Sequence, residues 1–438
     1  MFGIASLAFA LLTSTAEAEP TADQRAELEA ELAREARLAL IERVALTHHP
    51  ALAEAKARSS AMAARASGAA RFPDPELKYE LWAVPLTRPY ALNRADTHMF
   101  GVRQSFPAPG LRAARERVAG EDAQIATEQG KTLARDLTLR VRRAYFDYYA
   151  ADRVLRVHLE HANVAEQLVA QVRADYEVGR GSQQDLLKVL VELARLHNDV
   201  AEVRQQRETS RGLLNALMAR KPDAALGPPA ELERPQSTLS SAELERSRQH
   251  NRPELVAAER TIRRAEAALA AAKISAKRPS FMAGVDYWLM PTQDMPHAYG
   301  GMVAMSLPWL SSGHKADVRE AEQLLAAERY AKEAAESVTA FELHDAVARL
   351  EAANASLSVI EDSLLPQAEK SLASSQGAFS VGKADLISLL DTLRSYFQIR
   401  LEHSRALARV MAQLAQVEFA SGARGARSHG PEATEKQP

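Results

Sequence analysis

Five of the ten methionines, Met282, Met290, Met295, Met302 and Met305, fall in one stretch of 24 residues that also holds His297. Thioether sulfur and imidazole nitrogen are the donors that soft cations such as Cu(I) and Ag(I) prefer. The same residues serve equally as flexible apolar filler, and their spacing defines no ligand set. His48-His49 and the pair His158/His161 have no carboxylate or third donor at metal spacing, so they are expected on solvated helix faces. Two acids, Asp185 and Asp391, each follow a Val-Gly-basic triplet, Val178-Gly179-Arg180 and Val381-Gly382-Lys383. Those glycines read as helix C-caps with positive φ. The chain has no HExxH, P-loop, GxSxG or dinucleotide fingerprint. It also has no cysteine, which excludes disulfides, thiol catalysis and Cys-ligated zinc. No catalytic constellation emerges, so a non-enzyme without a cofactor is expected.

Something must position these residues, and the composition limits what. The 438 residues carry 55 Lys+Arg against 57 Asp+Glu, which gives no reason to expect nucleic acid as a partner. Apolar residues at 46% and charged residues at 26% are those of an ordered protein. Only 19 Gly and 20 Pro are present, so turns are few and the elements must be long. Residues 2–12 form an apolar run followed by Ala16-Glu17-Ala18, the pattern of a secretory signal peptide over 1–18. No other run reaches 18 apolar residues, so no transmembrane helix is expected.

The chain resembles itself at an offset of 203 residues. Tyr176-Glu-Val-Gly179 followed by Leu186-Leu187 corresponds to Phe379-Ser-Val-Gly382 followed by Leu389-Leu390, and His49-Pro50 to Arg252-Pro253. Two tandem units follow, repeat 1 over 49–218 and repeat 2 over 241–421. Residues 19–48 are expected to form an N-terminal periplasmic segment, beyond the signal peptide. A proline-bearing linker spans 219–240, and a polar tail expected to be disordered spans 422–438.

Within repeat 1, residues 111–176 contain no proline. From Leu133 through Leu137, Val141, Ala144, Tyr148 and onward to Tyr176, apolar residues recur at a mean spacing of about 3.6, which predicts one very long helix. A second helix is predicted over 183–218 and a third from Pro50 to about Ala70, which together nearly match the long one in length. In repeat 2 the long helix, 314–379, is interrupted by Pro366, where a kink is expected. Between the third and long helices the period changes to two. Segments 76–85 and 97–106 alternate, as do 281–289 and 298–307, each about the length of a membrane-spanning strand. Their alternation puts Lys78, Arg103, Asp286, Met282 and Met302 on one face and Tyr79, Val102, Val285 and Val303 on the other. Met290, Met295 and His297 fall near the loop beyond.

Four strands cannot close a barrel, and open sheet edges are not tolerated in lipid. An oligomer is therefore expected, and three chains would supply twelve strands around an aqueous lumen. With this order of elements, the Val-Gly tips followed by Leu-Leu, and the Phe106-Pro-Ala-Pro-Gly110 strand-to-helix turn, the chain resembles the TolC-type outer-membrane efflux proteins over nearly all of its length. The resemblance implies a mainly α fold with a membrane β part. It implies a homotrimer in the outer membrane with a shared twelve-stranded barrel above an α-helical periplasmic tunnel. It further implies docking of the tips Val178, Gly179, Arg180, Val381, Gly382 and Lys383 to a periplasmic adaptor that serves an inner-membrane resistance-nodulation-division pump. Asp185 and Asp391 match acids that line the closed periplasmic entrance in that family. Ser388 stands where a further acid is expected, Ala384 where some members have Arg and Phe379 where they have Tyr, which leaves Lys383 as the nearest substitute in an incomplete charged lock. The FPAPG turn, Leu365-Pro-Gln-Ala-Glu369 and the Phe379-Ser-Val-Gly-Lys-Ala-Asp-Leu386 tip look most like the outer-membrane components of heavy-metal pumps, although the acylated Cys of some members is missing. A duct for drugs or for protein secretion is the alternative. A soluble periplasmic coiled-coil scaffold or adaptor is the alternative of another class.

Overall fold

The computed structural model describes residues 22–84, 86–87, 90, 92, 95–234, 240–290 and 297–423. The signal segment, Met295 and most of the C-terminal tail lie outside these. Two helices, α1 (Ala22–Arg34) and α2 (Leu38–His48), precede α3 (Pro50–Gly68). Strands β1 (Glu76–Trp82) and β2 (Thr97–Phe106) lead into α4 (Leu111–Glu177), which returns through α5 (Gln183–Leu217). Then α6 (Ser241–Asn251), α7 (Pro253–Lys277), β3 (Phe281–Leu289) and β4 (His297–Met305) lead into α8 (Gly313–Val359). A π-helical turn, Ile360–Leu364, joins α8 to α9 (Leu365–Ser380), and α10 (Leu386–Ser421) closes the described chain. No helix among the described residues is long and apolar enough to cross a membrane.

With 67 residues, α4 is about 100 Å long. No isolated helix is stable at that length without lateral partners. One end of α4 packs on α3 and α7, and the other on α5 and α10. In the same way α8 lies against α7 and then α10, and α9 against α10. Two shorter helices in line thus cover one long one. The tip half is held by Val154, Val157, Leu168, Val169, Val189, Leu386, Leu390, Leu393 and Phe397, all buried. Midway, a second cluster ties α2 to α4, α5 and α10 through Ile41, Val44, Leu137, Val141, Tyr145, Tyr148, Leu214 and Ala415.

The linker does not hang loose over 219–234. The Tyr148 hydroxyl donates to the Gly227 carbonyl (2.8 Å), and Asn215 donates to the carbonyls of Pro222 and Ala224 (3.1 and 2.8 Å). Gly227 presses on the Arg34 backbone so closely that a β-carbon would lie 2.6 Å from it, so only glycine fits.

The kink expected at Pro366 takes the form of the π turn. Proline has no N–H, and its ring crowds the carbonyl four residues back, here Asp362. The widened turn Ile360–Leu364 sits directly before it. Within that turn Glu361 accepts from Arg234 Nη1 (3.2 Å) and lies 3.1 Å from His403 Nε2.

The sheet is antiparallel in the order β1-β2-β3-β4, with β2 and β3 joining the two halves of the chain. β1 is shorter than its alternation suggests, because Ala83 at φ +58° turns the chain out of the ladder. β4 begins at His297 and ends at Met305, ahead of the 3-10 turn Pro308–Leu310. Neither β1 nor β4 has a second neighbour within the described chain, so both outer edges are open.

Candidate functional site

The register aligns the alternating residues across all four strands. Leu77, Val102, Val285 and Gly301 form one rung, and Tyr79, Phe100, Tyr287 and Tyr299 the next on the same face. This face is apolar and bare: Val285 is 64% exposed and Tyr299 87%. Its polar groups cluster at the loop end, where the Tyr79 hydroxyl meets His98 Nδ1 (2.8 Å) and the Tyr287 hydroxyl meets His297 Nδ1. At the helix end stand Phe106 and Phe281, directly opposite each other, with Phe72 packed on Phe106. Aromatic rows at both ends of an apolar band are the pattern of a strand face in contact with lipid.

The reverse face carries the charge. Lys78, Gly101, Asp286 and Gly300 share a rung, and Glu76, Arg103, Gly284 and Met302 the one beside it. Lys78 pairs with Glu80, and Arg103 Nη2 lies 3.9 Å from Asp286 Oδ1. Met282 and Met302 are on this face together with Met99, which is buried opposite Trp288. His297 is not with them, because its strand position turns it to the apolar face. Met290 follows β3, outside the ladder. Among the described residues no three His, Asp or Glu side chains converge as a metal site would need.

At the other end of the molecule the two tips are built alike. Gly179 and Gly382 have φ +74° and +71°. Arg180 N donates to Asp175 O and Lys383 N to Ala378 O, both at 2.8 Å, while Gly179 N and Gly382 N donate to Tyr176 O and Phe379 O, both at 3.0 Å. These paired bonds satisfy the last carbonyls of α4 and α9. Nothing lies within 4 Å of a β-carbon built at either glycine, so the requirement is purely one of backbone conformation. Val178 and Val381 point into solvent beside them. The next helices are capped in mirror fashion. Ser182 accepts from Asp185 N (3.0 Å), and Asp385 accepts from Ser388 N (2.9 Å). Asp185 is therefore engaged with its cap, since the Ser182 hydroxyl also donates to its Oδ2 (2.6 Å).

Asp391 has a partner that the sequence reading did not assign. Within the chain, Arg394 Nη1 donates to its Oδ1 (3.3 Å). The same guanidinium donates twice to Glu192 on α5, from Nε to Oε1 (3.0 Å) and from Nη2 to Oε2 (2.5 Å). Glu192 is only 6% exposed. The Arg394 bonds hold its carboxyl below the usual carboxylate range, against the upward push of burial. A groove of about 590 Å³ runs beside this pair between Leu187, Val191, Ile387 and Leu390.

Close by, His158 and His161 are buried, which corrects their expected place on a solvated face. The reason is that α4 is covered from two sides here, by α5 and α10, so the buried arc is wider than one apolar stripe. Leu159, a member of the expected stripe, is instead 42% exposed. The His161 ring stacks on Phe397 (centroids 4.1 Å apart), and burial pushes its pKa down to about 4. His48 and His49 do structural work: His49 Nδ1 accepts from Ala51 N (3.2 Å) and caps α3. Glu192 had a legible signal, as a charge interrupting the buried series Val189, Leu196, Val200 and Val203.

No protein-family model and no curated protein sequence matches this chain. Its likeness is to solved structures. The open-state MtrE outer-membrane channel of Neisseria gonorrhoeae is 18% identical and superimposes with a TM-score of 0.74 over 88% of this chain and 89% of that one. The outer-membrane protein VceC of Vibrio cholerae is 18% identical, TM-score 0.72, over 92% and 99%. CusC, described in terms of transmembrane channel formation, is 16% identical, TM-score 0.73, over 88% and 92%. The chain has the fold of outer-membrane channels, the fold that its resemblance to the TolC type implies.

Proposed function

We propose that the protein is the outer-membrane exit duct of a tripartite efflux pump. In this reading three copies join β4 of one to β1 of the next, and their twelve strands form a single barrel in the outer membrane. The observation that carries it is the sheet itself, with one face apolar, exposed and bounded by aromatic rows, the other charged, and both edges open. A bilayer accepts the first face and tolerates no open edge. A soluble scaffold would leave Leu77, Val285, Tyr299 and Val303 in water, as an exposed patch without a partner. The helices below continue the duct through the periplasm. The Val-Gly tips at Val178–Arg180 and Val381–Lys383 are the grip of a periplasmic adaptor, which couples the duct to an inner-membrane resistance-nodulation-division pump. Asp185 and Asp391 border the entrance.

Native mass spectrometry in mild detergent tests the assembly, and planar-bilayer recording tests the pore. Trimers that conduct are expected. Monomers only, or a protein released from membranes by salt alone, would overturn the reading.

Heavy-metal cations are the favoured substrate class, because Met282 and Met302 stand on adjoining rungs of the inner face, with Met99 on the same face toward the loop end, where thioethers would meet a passing soft cation. Cells carrying Met282→Leu/Met302→Leu should lose copper or silver tolerance while keeping tolerance to organic drugs. Equal loss of both, or of neither, would remove the metal assignment and leave the duct.

A further inference from the structure

Where the strands give way to helices, the chain is strongly basic. The four segments that meet at this level, 65–75, 107–118, 274–280 and 306–319, carry nine Lys and Arg against three acids, Asp74, Glu116 and Asp317, in a chain whose formal net charge is −2. Three of the arginines are held by main-chain carbonyls. Arg71 Nε donates to Gly68 O (3.3 Å), Arg112 Nε to Ala70 O (2.6 Å) and Arg278 Nη1 to Pro109 O (2.8 Å). Arg115 stands exposed on α4, one turn beyond Arg112. Among the described residues no carboxylate pairs with any of these four. In the helical body, by contrast, Arg142, Arg207, Arg252 and Arg394 each meet one.

The cations have apolar company. The Arg112 guanidinium lies 3.5 Å over the Phe72 ring, and Phe72 packs edge-on against Phe106 of the apolar sheet face. In the 3-10 turn after β4, Trp309 and Leu310 are exposed. A hollow of about 720 Å³ at the same level is lined by Phe106, Phe281 and Met305 together with Arg115 and Arg278, and no acid lines it. Aromatic side chains settle at the boundary of hydrocarbon and water, and guanidinium is the side chain best shaped to grip phosphate. Together they fit an amphiphile with an anionic head.

We propose that this collar binds the phosphate headgroups of anionic phospholipid in the inner leaflet of the outer membrane. The proposal rests on the barrel reading above, which puts the helices in the periplasm and therefore the sheet–helix junction at the leaflet facing it. Arg112, Arg115 and Arg278 hold the phosphate, while Phe72, Phe106 and Trp309 lie against the start of the acyl chains. Three copies close the collar around the barrel.

The experiment is native mass spectrometry of the full-length protein in mild detergent, with phosphatidylglycerol and phosphatidylethanolamine added in equal amounts. A basic residue near an anionic surface is worth up to about fivefold in affinity, so the wild type should retain phosphatidylglycerol over phosphatidylethanolamine by about tenfold or more. Arg112→Gln/Arg115→Gln should bring the two within about twofold, and Arg112→Lys/Arg115→Lys should keep most of the preference. Arg115→Gln alone removes no bond of the fold, and should still cost about threefold. Arg173→Gln, an exposed arginine of the tip half, is the control and should change nothing. A trimer that retains both lipids equally, a preference undiminished in the glutamine variants, or displacement of phosphatidylglycerol by equimolar lipopolysaccharide, the lipid of the opposite leaflet, would overturn the proposal and leave the duct standing. A wild type found only as monomers would overturn the duct reading first, and this one with it.

Discussion

Replacing Arg394 with Met should loosen the tip half of the helical layer by a predictable amount. Glu192 is buried on α5, and both of its oxygens accept from Arg394 on α10. Removing one partner of a fully buried pair costs about 3–5 kcal/mol. Arg394 is itself 45% exposed, so solvent already screens part of the interaction, and a loss of about 2 kcal/mol is the better expectation. At 1.4 kcal/mol per factor of ten, amide exchange through opening of this region should quicken about 30-fold. Hydrogen exchange read by mass spectrometry, on peptides from α5 and the start of α10 in detergent, measures this directly. The pH dependence has a definite sign. The folded-state pKa of Glu192 is lowered by the Arg394 bonds, so their stabilisation is complete above the unfolded value of about 4.3 and is lost as pH falls through the folded value. The gap between wild type and Arg394→Met should therefore narrow below about pH 4. Asp391→Asn, which removes only the exposed contact, serves as the control and should shift exchange by less than threefold, that is by under about 0.7 kcal/mol. Unchanged exchange in Arg394→Met at neutral pH, or a gap that persists undiminished in acid, would refute the argument.

Three further outcomes are expected. Gly179→Val/Gly382→Val forces β-branched residues to φ above +70°, at about 1–2 kcal/mol each, and should abolish adaptor cross-linking while the barrel still assembles; intact cross-linking would count against a docking role. Val285→Arg should reduce trimer yield far more than Lys78→Arg, because a lipid-facing arginine costs about 2–4 kcal/mol at mid-membrane, and equal yields would reverse the facing of the sheet. His161, its pKa pushed down to about 4 by burial, binds a proton more readily unfolded than folded, so the tip half should lose on the order of 3 kcal/mol as pH falls from about 6.5 to 4. His161→Leu should flatten that pH profile in the same exchange measurement, and a profile identical to wild type would assign the loss elsewhere.

The long helices were legible because nothing local opposes them. Residues 111–176 hold no proline and keep one period throughout, and the helix observed, Leu111–Glu177, differs from that expectation by one residue. The strands were legible from alternation alone, and the register puts every residue assigned to one face on that face. The tip glycines declared their positive φ through their place between two apolar periods. What sequence could not convey is pairing at a distance. Arg394 and Glu192 stand 202 residues apart, and no local pattern couples them. His161 was misplaced because an apolar stripe marks one packing partner, whereas α4 has two at that height.

The two hairpins that end at the tips are unequal as mechanical parts. From sheet to tip, α4 is a single strut without interruption. Its counterpart is jointed at Ile360–Leu364, and below the joint α9 has 16 residues, an arm of about 24 Å. A rotation of only about 10° at the joint carries the end of such an arm about 4 Å sideways, with hardly any change in its own helical bonds. Glu361, tethered to Arg234 and His403, sits at the pivot, where a small change of angle gives the largest displacement at the tip. Compliance in the chain is thus concentrated in one of the two arms that reach the tips. In the proposed trimer the mouth would then widen by swinging alternate arms past fixed ones, rather than by splaying all of them.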